Sequence, residues 1–308
     1  ANRFSQEDHI LVPSNGKFGE RLATIAGTFT QCTHLNGEWG RSFDLDEIES
    51  ELSTGKYDAL AFCHNETSSG ITQDAEALSN LSHKYNVSVV MDAITSVGGL
   101  PTHPNKWGVE ILVVGAQKCT AGPSGISAIA INENYIAKCK SLRDSDKANP
   151  VYYLDILAAL NKAPDDQTPW TPAINLMMGW KTALRELKSE TLEGRWNRCT
   201  KMATGIRNLF ENLGFSLFAD ESQRSNTVTA ILYPENIDDS WKEHLKQKYN
   251  TQVIGAQDYM KGKMFRVGTM GITPISEIIE GCKRMLNCFR DMGVDLPNEI
   301  DVESYFID

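Results

Sequence analysis

The stretch VVGAQKCTAGPSG, residues 113–125, ends an apolar run on a lysine that only small residues follow. Lys118 comes just after the run EILVVGA, with Gln117 before it. A lysine amine beside a buried strand is a nucleophile that forms a Schiff base with a carbonyl compound. The small residues leave room for a planar ligand. This stretch therefore makes Lys118 a candidate for a covalent binding site.

Two more polar groups follow neighbouring apolar runs. Asp92 lies at the end of VSVVMDA, and Thr67 follows ALAFCHN within HNETSSG. Taken singly, Asp92 is typical of a helix N-cap, Thr67 of a turn and Lys118 of a surface loop. In open parallel α/β sheets, however, ligands bind beyond the carboxyl ends of the strands. The shared placement of these three groups therefore favours one site at one edge of a sheet.

Pyridoxal phosphate (PLP) is a cofactor that needs this set of groups. Its aldehyde reacts with a lysine amine, and its ring nitrogen needs a carboxylate partner to stay protonated. Lys118 and Asp92 supply the two groups, and a hydrogen bond to a charged group stabilises by about 1.5–3 kcal/mol. Ile94 lies two residues after Asp92. In an extended chain it shares the same face, where it can pack on the ring.

The elements that must position these groups are strands and helices in alternation. Short apolar runs alternate with segments of helical periodicity such as 71–85, which predicts an α/β fold with a mostly parallel sheet. The runs are HILVPS (9–14), ALAFCHN (59–65), VSVVMDA (87–93), EILVVGA (110–116) and ISAIAIN (126–132).

The pattern changes after Pro172. A long helical stretch follows, and then shorter strand and helix patterns alternate to the end of the chain. We therefore predict a large domain at 1–185 and a smaller C-terminal α+β domain at 186–308.

Composition excludes several classes of protein. The net charge is −10 with no cluster of Lys and Arg, which argues against nucleic acid as a partner. No apolar run is long enough to cross a bilayer, and the six histidines show no metal-ligand spacing. Seven cysteines, an odd number without a CxxC pair, predict reduced thiols and a cytoplasmic location.

Five segments of the chain occur in an order that resembles a known family. They are HNETSSG, MDAITSVGG, GAQKCTAGPSG, QTPWTP and FRVGTMG. Together they resemble the class V aminotransferases, PLP enzymes of fold type I, and most of all the serine–pyruvate and alanine–glyoxylate aminotransferase branch. The resemblance covers essentially the whole chain. It implies a homodimer with sites at the interface, PLP as cofactor, and amino acids and 2-oxo acids as substrates.

The resemblance also implies roles for residues near the lysine. Lys118 matches the Schiff-base lysine, which also moves the proton at the substrate's Cα, and Asp92 matches the partner of the ring nitrogen. Phe18, in SNGKFGERL, matches the aromatic residue that stacks on the exposed face of the ring. Gln117 and Thr67 match residues that hydrogen-bond the cofactor.

Three residues far along the chain also match family positions. Gln167 and Thr168, in QTPWTP, resemble the pair that reaches the cofactor phosphate of the other subunit. Arg266, in FRVGTMG, matches the arginine that binds the substrate's α-carboxylate. The planar guanidinium suits two-point binding of a carboxylate, which a lysine cannot provide.

The chain departs from the family ahead of Phe18. Family members carry a further N-terminal segment there, with a Ser/Gly-rich turn that binds the cofactor phosphate at a helix N-terminus. Nothing like that turn precedes Phe18 here. The sequence therefore predicts a chain that lacks this segment.

The expected activity is transfer of an amino group from serine or alanine to pyruvate or glyoxylate through Lys118. 2-Aminoethylphosphonate or phosphoserine as donor stays open within this class. A cysteine desulfurase is less favoured, because Gln117 replaces the histidine usual before the lysine and the RVGTMG region has no cysteine. Another fold-type I enzyme or a non-catalytic remnant are further alternatives. A Rossmann dehydrogenase is weaker still, because no GxGxxG follows the first strand.

Overall fold

Strands and helices alternate through the first half of the chain. A computed structural model describes residues 1–307, so residue 308, the end of the predicted smaller domain, lies outside the described residues. The strands are β1 (His9–Ser14), β2 (Gln31–Asn36), β3 (Ala59–Cys63), β4 (Asn65–Glu66), β5 (Ile71–Thr72), β6 (Ser88–Asp92), β7 (Ile111–Gly115), β8 (Ser127–Ile131), β9 (Val228–Leu232), β10 (Ile254–Gly255) and β11 (Met264–Gly268). The helices are α1 (Lys17–Phe29), α2 (Leu45–Leu52), α3 (Ala75–Lys84), α4 (Pro104–Trp107), α5 (Glu133–Asp144), α6 (Ile156–Lys162), α7 (Ile174–Glu190), α8 (Leu192–Asn212), α9 (Ser240–Tyr249) and α10 (Ile275–Asp291).

Six strands form the main sheet, in the order β2-β1-β3-β6-β7-β8. Its neighbouring strands are parallel except for the antiparallel pair β7 and β8. All five apolar runs lie in this sheet, so the predicted α/β fold with a mostly parallel sheet is confirmed. The apolar pattern does not predict β2, because its sequence QCTHLN is polar and lies at a partly exposed edge.

Two apolar layers cover the faces of this sheet. Along β3, Leu60 and Phe62 point into one layer, and Ala59 and Ala61 point into the other. Helices α2 and α3 contribute to the first layer, and α1, α5 and α6 contribute to the second. Full burial of a side chain such as Leu60 stabilises the fold by about 1.5–3 kcal/mol. Burial on both faces fixes the strand register, so the carboxyl ends of β3, β6 and β7 meet at one edge.

Asp74 determines where α3 begins. Helical periodicity predicts a helix over 71–85, but α3 begins at Ala75, because the Asp74 carboxylate accepts a hydrogen bond from the Ala77 amide at 2.9 Å. Ile71–Thr72, at the start of the predicted helix, form strand β5 instead and pair with Asn65–Glu66. Among the described residues, no helix is both long and apolar enough to span a bilayer.

A second sheet lies in the C-terminal part of the chain. It is antiparallel, in the order β10-β11-β9, and packs with α8, α9 and α10. Its core is aromatic: Trp241 stacks on Phe289 with ring centroids 4.3 Å apart, and Phe265 lies 4.6 Å from Trp241. The buried residues of this core all follow residue 201. This core supports a separate C-terminal unit. The division at residues 185 and 186, which falls within α7, remains our proposal.

Candidate active site

A cavity of about 350 Å³ opens at the carboxyl edge of the main sheet. Six of the nine predicted site residues line it, namely Phe18, Thr67, Asp92, Ile94, Gln117 and Lys118. The other lining residues are Arg21, Leu22, Ile25, Cys63, Asn65 and Thr95. The fold therefore brings the predicted amine, carboxylate and aromatic ring to one place, whereas Gln167, Thr168 and Arg266 lie outside the lining.

Lys118 lies in a closed loop three residues after β7. Its carbonyl accepts a hydrogen bond from the Ala121 amide at 2.9 Å. The carbonyl of Ala116 accepts two more, from the Gly122 amide at 2.7 Å and from the Thr120 hydroxyl at 2.9 Å. These bonds hold the backbone around Lys118, so its side chain reaches the cavity from a fixed base.

Asp92 ends β6 and pairs with Cys63 on one side and Val113 on the other. Its Oδ1 accepts a hydrogen bond from the Ile94 amide at 3.0 Å. Burial raises the pKa of this carboxyl above its ordinary value, although the Ile94 amide and the charge of Arg21 both act to lower it. A carboxylate buried with so little compensation is suited to a cationic ligand group.

Phe18 on α1 and Ile94 after β6 give the cavity its apolar walls. Gly115, at the end of β7, allows Ile94 to approach. A Cβ atom at residue 115 would lie 3.0 Å from Ile94 Cγ2 and 3.2 Å from Gln117 Oε1. Because protein interiors are close-packed, any side chain here would displace both residues. The glycine therefore keeps this wall in place.

Glu66 holds the helix that carries Phe18. Its side chain is fully buried, and its Oε2 accepts hydrogen bonds from the amides of Phe18 at 2.9 Å and Gly19 at 2.8 Å. Its Oε1 accepts from the amide and hydroxyl of Ser68 at 3.0 Å and 2.6 Å. A carboxylate at a helix N-terminus also complements the helix dipole. Because Glu66 occupies the N-terminus of α1, these amides do not form a phosphate site.

Arg266 on β11 lies behind the wall that Thr67 forms. It is 7% exposed, and its Nη1 donates to the Thr67 carbonyl at 2.6 Å. Its Nε and Nη2 donate to the Gly255 carbonyl at 3.2 Å and 2.7 Å. A guanidinium has five N–H groups. Two therefore remain for a ligand, and the predicted role of Arg266 in binding a carboxylate stays a prediction.

Gln167 and Thr168 do not line this cavity and lie in an exposed segment between α6 and α7. The Thr168 hydroxyl donates to the Trp170 carbonyl at 2.6 Å. The contact predicted for these two residues is with the cofactor phosphate of another subunit. Because the structure describes a single chain, this contact remains a prediction.

The sequence reading missed the part that α1 plays in the cavity. Phe18, Arg21, Leu22 and Ile25 line it at helical spacing i, i+3, i+4 and i+7. The Arg21 guanidinium carbon lies 5.1 Å from the centroid of the Phe18 ring. If Phe18 stacks on a ligand, this helical periodicity predicts that Arg21, Leu22 and Ile25 face the same ligand.

The residues around the cavity fit PLP. The cavity lies within the usual size range for small-ligand sites. Lys118 presents an amine, Asp92 presents a half-buried carboxylate whose pKa is raised by burial despite the charge of Arg21, and Phe18 and Ile94 supply apolar surfaces for a flat ring. PLP requires these features, because it reacts through an aldehyde and carries a ring nitrogen that must stay protonated.

The raised pKa of Asp92 makes a prediction about the cofactor-free chain. A raised pKa in the folded state means that this carboxyl favours folding in its protonated form and opposes it when ionised. We therefore expect Asp92→Asn to raise the unfolding temperature at pH 7. The gain should shrink as pH falls toward about 4, the ordinary range for Asp. Thermal unfolding of cofactor-free chains between these pH values measures it.

Asp220→Asn provides a control of opposite sign. Burial acts to raise the pKa of Asp220, but hydrogen bonds from Arg41 and from the Ser42 amide outweigh it, so the net pKa is lowered. This variant should lose stability at pH 7, and the loss should fade as pH falls. Asp92→Asn would contradict the assignment of an uncompensated carboxylate if it lost stability in the same way.

Comparison with known proteins identifies the family. The family model for aminotransferase class V matches residues 2–255. An uncharacterized aminotransferase of Methanocaldococcus jannaschii is 33% identical over 302 residues, which cover 96% of this chain and 77% of that protein. Alanine–glyoxylate aminotransferase of Callithrix jacchus is 28% identical over 283 residues, covering 89% and 67%. The ureidoglycine–glyoxylate aminotransferase structure from Bacillus subtilis matches with a TM-score of 0.89 at 23% identity, covering 99% and 79%.

The family match extends over most of the chain and includes the segments that carry Lys118 and Asp92. The structural match shows that the fold is that of a solved aminotransferase. Fold-type I architecture and dependence on PLP, both expected from the five motifs, are thereby confirmed. The chain belongs to the class V aminotransferases, PLP-dependent enzymes of fold type I, in the branch that includes the alanine–glyoxylate aminotransferases.

Proposed function

We propose that this enzyme transfers an amino group from L-alanine or L-serine to glyoxylate or pyruvate. The observation that carries the proposal is the cavity that Lys118 and Asp92 both line, with Arg266 hydrogen-bonded to the carbonyl of Thr67, another lining residue. The cavity volume of about 350 Å³ is near the lower end of the usual range for small-ligand sites, which favours a short side chain on the substrate. The alanine–glyoxylate relative has the same substrate class in its name.

The proposed chemistry assigns one task to each polar residue. PLP, when bound, supplies an aldehyde that links to amines and a ring that accepts electrons. Lys118 would take the proton from the substrate's Cα and deliver it to C4′ of the cofactor. A positioned side chain of this kind contributes about 10²–10⁴-fold to a proton transfer. Asp92 keeps a proton on the ring nitrogen, and Arg266 orients the substrate's carboxylate.

The remaining lining residues position and enclose the site in this proposal. Phe18 and Ile94 hold a flat ring between them, and Gln117 and Thr67 provide hydrogen bonds to its substituents. Leu22 lines the same cavity and helps to exclude water, which strengthens the electrostatic interactions within it.

A half-reaction tests this proposal. The PLP-loaded enzyme is mixed with L-alanine, L-serine, L-aspartate or L-phosphoserine, and the keto acid and amino form of the cofactor are quantified. We expect alanine or serine to give the largest kcat/KM. Fastest reaction with phosphoserine or aspartate would replace the proposed donor, and no conversion of any donor would favour a non-catalytic chain.

Arg266→Lys is expected to weaken substrate binding and leave cofactor binding intact. Lysine keeps the charge but loses the planar fork, which costs about 1.5–3 kcal/mol, or about 10- to 100-fold in the Kd for L-alanine. Spectral titration measures the Kd, and the bound PLP is counted in the same sample.

Arg284→Lys is the matched control for this test. Arg284 lies on α10, where its Nη1 donates to the Tyr249 carbonyl at 3.4 Å, and it does not line the cavity. This control should change neither binding step. If Arg266→Lys lost PLP and kept its affinity for alanine, Arg266 would serve the cofactor and not the substrate.

We also propose that the enzyme is a homodimer. The segment with Gln167 and Thr168 lies beside large apolar side chains that are exposed in the single chain. They include Tyr152, Tyr153, Leu154, Ile174, Met177 and Met178, with exposures of 47–76%. Large exposed apolar patches mark interaction sites. Sedimentation should give a mass of two chains, and a monomer that binds PLP tightly would contradict the role of Gln167 and Thr168.

The cysteines near the site do not favour a desulfurase. Cys63 and Cys119 are buried, and burial raises the pKa of both thiols above the ordinary value. A desulfurase needs a thiolate nucleophile, which these protonated thiols do not provide. All seven cysteines are free thiols, and this supports our proposal of a cytoplasmic location.

A further inference from the structure

A charged cluster lies outside the cavity, where α7 meets α8. Glu190 ends α7, and Arg195 and Arg198 lie on the first two turns of α8. The Glu190 carboxylate accepts from Nε of both arginines, at 2.7 Å in the case of Arg198. Arg195 is only 1% exposed. Arginine is rarely buried so fully unless its charge is paired, and Glu190 provides that pairing. The contacts of this buried cluster indicate what it does.

The two arginines hold the backbones of two different loops. Nη1 of Arg195 donates to the carbonyl of Cys119, the residue after Lys118, at 3.1 Å. Arg198 donates through Nη2 to the carbonyl of Gly271 at 2.7 Å and through Nη1 to that of Thr273 at 2.6 Å. Hydrogen bonds from a charged donor are roughly twice as strong as neutral ones. Each loop is thus fixed by a strong contact.

These two loops also touch each other. A Cβ atom at Gly271 would lie 3.9 Å from the Lys118 carbonyl oxygen and 3.8 Å from the Ala121 Cβ. The second loop continues from β11, which carries Arg266 five residues before Gly271. One loop therefore carries Lys118, and the other follows Arg266. The carboxylate of Glu190 connects the two arginines that hold these loops.

The α7–α8 junction is built to place this carboxylate. Thr191, between Glu190 and α8, has φ +70°, which is a strained conformation for a β-branched residue. Its hydroxyl caps α8 by accepting from the Gly194 amide at 3.1 Å. Burial acts to raise the pKa of Glu190, but the hydrogen bonds from Arg198 and Arg195 outweigh it, and the net pKa is lowered. Glu190 is therefore the charged partner of both arginines at neutral pH.

We propose that Glu190, Arg195 and Arg198 are positioning residues that hold the Lys118 loop in register with the loop that follows Arg266. The two arginines act through backbone carbonyls, Glu190 acts through the arginines, and none of the three lines the cavity. The proposal rests on the proposed roles of Lys118 and Arg266 in the reaction. A purely structural brace is the competing explanation, since loss of these contacts also lowers stability.

Hydrogen exchange in the cofactor-free chain tests the coupling without any activity. Glu190→Gln should speed exchange about tenfold in both 116–122 and 268–274, because it loosens both arginines. Arg195→Lys should affect chiefly the first segment, and Arg198→Lys chiefly the second. Arg207→Lys is the control: Arg207 also lies on α8 and donates to a carbonyl, that of Ser225, at 3.0 Å. It should leave both segments unchanged.

Kinetics of the PLP-loaded variants separate positioning from stability. A displacement near 1 Å can cost a reaction about 100-fold. Arg195→Lys should lower the first-order rate with L-alanine by about 10- to 100-fold. The Kd of this variant for L-alanine should change by less than about threefold. Arg198→Lys should chiefly raise the Kd. Arg207→Lys should change neither the rate nor the Kd, even when its unfolding temperature falls as far.

The possible failures are distinguishable. Lower unfolding temperatures with unchanged loop exchange and unchanged rates would overturn the proposal in favour of a structural brace. If Lys118→Ala still carried covalent PLP, the proposed function would fail, but the exchange results would still decide whether the two loops are coupled. If Glu190→Gln did not fold, the two lysine variants would carry the test, because each is expected to loosen one loop.

Discussion

Lys118→Ala will abolish covalent attachment of PLP and lower transamination by about 10⁴-fold or more. The amine is proposed both to bond to the cofactor and to carry the proton, and proton transfer alone contributes about 10²–10⁴-fold. Alanine fits the loop, because the surrounding hydrogen bonds are made by backbone groups and the Thr120 hydroxyl. Borohydride reduction with PLP, followed by mass spectrometry, shows whether the cofactor is attached.

Lys140→Ala is the control for this experiment. Lys140 is exposed on α5, distant from the cavity, so the variant should take up one PLP per chain and react normally. Lys118→Arg tests whether charge alone suffices, since arginine keeps the charge and does not form the covalent bond. A PLP adduct on another lysine of the Lys118→Ala chain would show that the central assignment is wrong.

Asp92→Asn will lower the rate of the half-reaction by about 100-fold without removing PLP. In the role proposed for Asp92, the change would replace a charged hydrogen-bond partner of the ring nitrogen by a neutral one, and about 3 kcal/mol corresponds to roughly 100-fold in rate. Asp92 is the carboxylate that lines this cavity together with Lys118. The Ile94 amide donates a hydrogen bond to it and keeps it in place. Rapid-mixing kinetics with L-alanine measure the rate at saturating substrate.

The same substitution should raise the unfolding temperature of the cofactor-free chain, so activity and stability should move in opposite directions. Asp92→Glu restores the charge at a different distance and is expected to recover part of the rate. An unchanged rate in Asp92→Asn, with normal PLP content, would show that another group protonates the ring.

The positions of Lys118 and Asp92 were predictable because both follow apolar runs whose burial on two faces identifies them as central strands. Parallel strands bring their carboxyl ends to one edge, so sequence order alone placed the amine and the carboxylate together. Phe18 was predictable only through the family resemblance, since periodicity alone indicates a core residue there. Confirmed membership of the class V family supports that use of the motifs.

Edge strands were less predictable. The polar sequence of β2 gives no apolar pattern because one of its edges is unpaired and its side chains are partly exposed. The apolar run of β8 does not predict that this strand is antiparallel to β7. An apolar run indicates that a strand is buried, but not the direction in which it runs relative to its neighbour.

The sequence by itself determined the α/β class, the strand ends that carry the reactive groups, and the family. Only the tertiary structure decided how Glu66 caps α1, how Arg266 bonds to the Thr67 carbonyl 199 residues away, and how Arg195 bonds to the Cys119 carbonyl 76 residues away. Local patterns record which side chains are buried, because burial repeats with the period of the helix or strand. Charged contacts between distant segments have no period, so they exist only once the chain topology has brought those segments together.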